Sequence, residues 1–416
     1  MLIRSLTLTA IGVLTMASCS MSQSTLIPRT SEPDIKAESG VVETVLYSFG
    51  SHPLDGAQPL AGLIDVKRTL YGTTFTGGTH RRGRVCGQND GCGTVFSITP
   101  SGTETVLYGL FAGGPHGADP SAGLISFKGK LYGTTTYGGV NECPYPGWGC
   151  GTVFAITTTG AVKVLHRFTG SGGAYPQAGL INVNGTLYGT TTNGGAGNCA
   201  DGCGTVFSIT PTGKYHLLYS FAAGHDGEYP YSGLIDVNGK LYGTTFGGGR
   251  RGVGTVFSIT TSGSEKVLHA FTASDGKYPQ AGLINVNGKL FGTTQSGTHS
   301  HGTIFSITTT GTEKVLHRFG GGSDGAYPYA VLINVNGTLF GTTQSGGGAG
   351  CGSGGCGTVY SVTTTGAETV LHAFKGGATD GAYPQAGLIN SNGTLYGTTG
   401  TGGANGDGTV YTITGY

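Results

Sequence analysis

Four short phrases recur in fixed order along the chain, seven times each, and the set is cut out of phase by one phrase. The first is Gly-Leu-Ile, from Gly62 to Gly387, with Val331 replacing the glycine once. The second is Leu-Tyr/Phe-Gly-Thr-Thr, from Leu70 to Leu395. The third is Gly-Thr-Val/Ile-Phe/Tyr, from Gly93 to Gly408. The fourth is a segment such as Val267-Leu268-His269-Ala270-Phe271. A copy of it, Thr44 to Phe49, precedes the first repeat, and none follows the last, which ends at Tyr416. A ring accounts for the offset, because the first segment can complete the last unit and remove the exposed strand edges of an open array. An open solenoid would leave a lone first strand and would need caps.

Each phrase has β character. Turns such as Asn238-Gly239 and Asn287-Gly288 separate the first two phrases, and Asn-Gly accepts positive φ at both central positions of a hairpin. Thr261-Ser262-Gly263 is typical of the turn between the third and fourth. Leu283, Ile284 and Val286 put apolar groups on both faces of the first strand, as a sheet between two sheets requires. No segment carries sustained helical periodicity. Glycine supplies 83 of the 416 residues, yet 37% are apolar and they recur in ordered clusters, so a packed core is expected. The predicted fold is all-β: a seven-bladed β-propeller of four-stranded antiparallel blades over residues 42–416, its ring closed by the N-terminal strand.

The unit from Asp275 to Thr294, with the Gly254 to Thr260 segment and its preceding glycine-rich loop, resembles the bacterial GloVer tandem repeat. The resemblance covers about residues 42 to 416. It implies an exported protein held by an anchor, and it brings no catalytic residues.

The start of the chain agrees. Arg4 gives a short basic region, and Ser5 to Met16 is an apolar run too short for a span. Met16-Ala17-Ser18-Cys19 resembles a lipobox, although Met16 stands where leucine is usual. The expected division is a lipoprotein-type signal peptide at 1–18, lipidation at Cys19 and a polar tether at 19–41 containing Pro28 and Pro33. Ser20 after the cysteine favours an outer membrane over inner-membrane retention. A formal charge of +1 gives no reason to expect nucleic acid. A closed ring has no edge that demands a partner, so a monomer is expected.

In a four-stranded blade, the loops between strands two and three share one face with the loops that lead to the next blade. Both sets vary in length here, from Thr76–Cys92 in blade 1 to Gly247–Val253 in blade 4. Recognition on that face is the expectation, since function concentrates on variable loops held by a rigid scaffold. Eight cysteines form four local pairs within these loops: Cys86–Cys92, Cys143–Cys150, Cys199–Cys203 and Cys351–Cys356. In an exported chain they read as disulfides. Zinc is disfavoured because the spacings differ and no histidine accompanies them consistently.

Candidate ligand contacts are the aromatic residues Tyr137, Tyr145 and Trp148 and the basic residues Arg81, Arg82, Arg250 and Arg251. Aromatic rings stack on sugar faces, and guanidinium groups meet anions; a cover for the disulfide loop and a solvated charged loop are the plainer alternatives. His299 and His301 have no evident third ligand. Asp-Gly recurs at Asp55, Asp226, Asp275, Asp324 and Asp380; it reads as a turn dipeptide more readily than as a carboxylate ring at the channel. One repeat position alternates between histidine (166, 269, 317 and 372) and tyrosine (47, 108 and 219). That exchange points to packing or a hydrogen bond. No catalytic set, cofactor or metal is expected. The leading expectation is a surface-anchored, non-enzymatic module that binds a glycan or a partner protein. A propeller lyase or hydrolase and a structural envelope protein are the alternatives.

Overall fold

The computed structural model describes residues 40–78, 91–111, 114–139, 143, 149–348 and 350–416. They form seven four-stranded antiparallel sheets. In blade 4 the strands are Ile235–Val237, Lys240–Thr245, Thr255–Thr260 and Glu265–Ala270, in spatial order. Blade 7 takes three strands from Ile389–Ser391, Thr394–Thr399 and Thr409–Thr414, and its fourth is Val42–Ser48 from the start of the propeller. Thr44 lies opposite Thr412 in that closing pair. The out-of-phase repeat is therefore the seam of a closed ring.

The turn after each inner strand has the geometry its sequence demands. Asn238 and Gly239 have φ of 55° and 81°, and Lys67 and Arg68 take 55° and 67° in the same place. Both central residues are left-handed, as a two-residue hairpin matched to strand twist requires.

The second phrase can be read residue by residue. Leu241 is fully buried between blades. A Cβ on Gly243 would lie 2.8 Å from the ring of Phe257, so only glycine lets that ring cross the strand. The first threonine donates its hydroxyl to a carbonyl of the next blade, as Thr244 does to Ala281 at 3.1 Å. All seven junctions have this bond, and Thr398 to Ala61 carries it across the seam. The second threonine meets the threonine that opens the third strand, as Thr245 meets Thr255 at 2.8 Å.

Between blades, the aromatic residue that follows the fourth strand packs edge-on against the next blade. Phe271 meets Phe305 at 5.1 Å, and Phe49 meets Phe96 at 5.1 Å. These rings are fully buried, and burying one such side chain is worth about 1.5–3 kcal/mol.

At the axis, the glycines of the first phrase stand in a ring. A Cβ on Gly123 would sit 3.0 Å from the Gly62 carbonyl oxygen, and one on Gly62 would sit 3.1 Å from that of Gly387. Val331 takes the seventh place, with its methyl groups toward Gly282 and Gly387.

Candidate functional site

Every inner strand is preceded by Pro-x-Ala/Ser, and the proline by a residue in left-handed conformation. Tyr175, Tyr229, Tyr278, Tyr327 and Tyr383 have φ between 56° and 59°, and Gln58 and Asp119 take 55° and 53° in the other two blades. A non-glycine residue rarely adopts this region and persists there only when its surroundings enforce it. Here they do. Tyr278 donates its backbone N–H to Val253 O and accepts at its carbonyl from Gln295 N, so it is fixed by the preceding blade and by its own.

The kink sends the chain toward the axis. The proline and the small residue on either side of x are buried, and x itself is half-buried. The seven x residues are Leu60, Ser121, Gln177, Tyr231, Gln280, Tyr329 and Gln385, and all of them line one cavity of about 460 Å³ on the loop face. Phe75 and Gln344, from the position after Gly-Thr-Thr, complete its wall. A side lobe of about 370 Å³ shares Leu60, Gln344 and Gln385 and reaches Tyr383 and Gly400.

The wall is knit by hydrogen bonds and ring contacts. Ser121 Oγ lies 2.8 Å from Thr136 Oγ1, and Gln177 Nε2 donates to Thr192 Oγ1 at 3.3 Å. Gln295 Nε2 donates to the Tyr329 hydroxyl. Tyr231 stands edge-on to Phe246 at 5.3 Å, and Phe246 stacks on Tyr278 at 4.8 Å. Burial pushes the Tyr231 and Tyr329 hydroxyls up from their ordinary range, which keeps them neutral donors. Among the described residues, no carboxylate, imidazole or cationic side chain lines the cavity. The wall can accept and donate hydrogen bonds and stack rings. It offers no proton acceptor of the kind that general base catalysis uses.

The loops around this cavity are stapled at their base. In each blade the segment before the kink pairs with the segment after the second strand, as Gly56–Ala57 does with Thr76–Gly77 and Lys277 with Ser296. Disulfides Cys143–Cys150, Cys199–Cys203 and Cys351–Cys356 form in these loops as expected, with Cα atoms 5.1 to 5.3 Å apart. Cys92 is disulfide-bonded, while Cys86 lies outside the described residues. Such bonds fit an extracellular or periplasmic compartment.

The sequence candidates are dispersed. Tyr137 packs edge-on against Tyr175 at 5.4 Å beside the Cys143–Cys150 disulfide. Arg250 and Arg251 are exposed on the blade 4 loop, outside the cavity wall. Tyr145, Trp148, Arg81, Arg82 and Cys19 lie outside the described residues. The Asp-Gly carboxylates do not ring the axis. Each caps a loop at the outer ends of the blades, as Asp226 does by accepting from Ala222 N at 2.6 Å and Tyr219 at 2.6 Å. The histidine of the Tyr/His position does the same work, with His269 Nε2 3.1 Å from Asp275. At Tyr47, Tyr219, His269 and His317 the exchange therefore preserves a hydrogen bond to an aspartate, whereas Tyr108 meets His116 Nδ1 and His166 stacks on Tyr215. The cavity residues were missed because their position sits inside the repeat signature. The signal was available there: the copies keep Pro and Ala/Ser-Gly around x and change x itself.

Among solved structures, the fold is similar to a gluconolactonase from Xanthomonas campestris (14% identity, TM-score 0.39, 63% of this chain and 78% of that one). It is also similar to a proposed 6-phosphogluconolactonase from Bacteroides uniformis (13% identity, TM-score 0.49, 80% and 89%). These identities speak to fold alone. No protein of curated function matches the sequence. The model of the Gloeobacter/Verrucomicrobia repeat matches residues 34–245 and 148–354. Together these matches span most of the propeller, and the chain belongs to the Gloeobacter/Verrucomicrobia (GloVer) repeat family.

Proposed function

We propose that this protein is an exported binding module, attached to the envelope through a lipid on Cys19 and a tether at 19–41, that takes the end of an uncharged glycan into its axial cavity. The observation that carries the reading is the convergence of seven repeat-equivalent residues, rich in amides and aromatic rings, on one uncharged cavity. Glutamine amides and serine or threonine hydroxyls each donate and accept, which matches the dual character of sugar hydroxyls. Tyr231 and Tyr329 supply rings for the apolar faces of a pyranose. The outer loops, with Tyr137, Arg250 and Arg251, would meet the rest of a longer ligand.

The test is a glycan array with the purified propeller, followed by titration of the best hit. Tyr231→Ala and Gln177→Ala should each weaken binding at least about tenfold, the loss of a contact worth about 1.4 kcal/mol. Binding unchanged by both substitutions would remove the axial cavity from recognition. Turnover of any glycan or lactone would move the protein to the enzyme class.

A further inference from the structure

Five of the seven blade junctions bury a glutamate against an aspartate from the neighbouring blade. The glutamate opens a fourth strand or lies near its start, and the aspartate belongs to the Asp-Gly turn. Glu265 lies against Asp226, the aspartate that Tyr219 bonds. At four junctions a carboxylate oxygen of each acid and a histidine nitrogen lie within 4.8 Å of one another: Glu104 with Asp55 and His52, Glu313 with Asp275 and His269, Glu368 with Asp324 and His317, and Glu43 on the closing strand with Asp380 and His372.

In all five glutamates, Oε1 is buried and has no hydrogen-bond partner. The Glu104 side chain is only 3% exposed, with His52 Nε2 3.9 Å from its other oxygen. The aspartates, by contrast, are well supplied. Asp55 accepts from Tyr47, Ser51 and Gly56, and Asp380 accepts from the Lys375 and Gly381 amides. Two ionised carboxylates side by side in a buried junction repel, while one carboxyl and one carboxylate do not. The donors fix which is which, because the charge belongs on the carboxylate that accepts hydrogen bonds.

We infer that these five junctions are proton-binding sites, each holding its glutamate neutral beside an ionised aspartate, so that the blades adhere less tightly once the protons leave. Burial raises all five glutamates from the ordinary carboxylate range to about 7. The facing aspartates add to it, while His372 opposes it at Glu43, His269 and Arg318 at Glu313, and His317 at Glu368. Asp275 and Asp380 move the other way, since hydrogen bonds from the histidine and from backbone or threonine donors outweigh their burial. Two junctions built around Tyr219 and Tyr47 show the same lift as the three built around histidine. The imidazole is therefore not what makes the site. The remaining two junctions have no glutamate: Val162 takes its place in one, and in the other Tyr215 stacks on His166 at 3.9 Å.

The sign follows from linkage. The folded glutamates bind protons that the unfolded chain has already released above about pH 4.5. Stability therefore falls as pH rises from about 4.5 to about 7 and then levels. The experiment is thermal unfolding of the full chain between about pH 5 and about pH 8.5, in chelator. The wild type is compared with Glu265→Gln and with a variant carrying glutamine at all five positions, since glutamine copies the neutral carboxyl. The wild-type melting temperature should drop by several degrees across the window, Glu265→Gln should remove about a fifth of the drop, and the five-site variant should lose most of it. The same slope in wild type and in Glu265→Gln would overturn the inference, even if the five-site variant fails to fold. So would a zinc- or calcium-dependent rise in melting temperature at about pH 8 that Glu265→Gln abolishes.

Discussion

Two rings of side chains, one residue apart in sequence, differ completely in how they tolerate change. The second threonine of Gly-Thr-Thr is a threonine in all seven blades, and each time it meets the third-strand threonine at 2.7 to 2.9 Å. Each also donates to the carbonyl two residues on. The next residue along is Phe75, Thr136, Thr192, Phe246, Gln295, Gln344 or Gly400. The threonine belt is fully buried and saturated with hydrogen bonds, while at the following position Phe75, Phe246, Gln295 and Gln344 are half-buried, and Phe75 and Gln344 line the cavity. A buried hydroxyl with three partners has no substitute, whereas a half-buried side chain facing a void is free to suit a ligand. The belt holds the loop face rigid, and the ring above it is free to carry specificity.

The largest expected effect lies in the belt. Thr245→Val keeps shape but strands the Thr255 hydroxyl and amide. It should destabilise the propeller by about 1–3 kcal/mol, measured by urea unfolding. An intermediate effect is expected at the cavity's rim. Replacing Cys199 and Cys203 by serine should cost about 2 kcal/mol or less, because the closed loop is short. The smallest is expected in the ring that follows: Gln344→Ala should change stability by no more than about 0.5 kcal/mol. A large loss at Gln344, or none at Thr245, would erase the distinction between the two rings.

Much of the scaffold was legible in sequence because it rests on local chemistry. Asn-Gly turns, the Leu-Tyr-Gly-Thr-Thr strand and the paired cysteines each state their structure within a few residues. The seam was legible because Thr44 to Phe49 repeats Val267 to Phe271 in the wrong phase. The cavity was not, since Leu60 and Gln385 become neighbours only after the ring closes. Attention fell instead on the long loops around Tyr137 and Arg250, where variation is conspicuous. The buried glutamates were hidden for a related reason. Glu265 sits in an unremarkable polar start to a strand, and its partner Asp226 lies in the connection that leads into its blade, with that blade's first three strands between them. Only the packing of blade on blade shows that the two carboxyls share a junction.

The seam has a consequence for the order of assembly. Val42–Ser48 finds its mate only in Thr409–Thr414, and Thr44 and Thr412 are 368 positions apart in sequence. Chain made from the N-terminus carries this strand unpaired through six complete blades, and a waiting strand is an adhesive edge. Contacts of such separation also form slowly. Until the third strand of blade 7 is in place, the disc remains an open arc. Only the arrival of Thr409–Thr414 lets the first strand lock the disc.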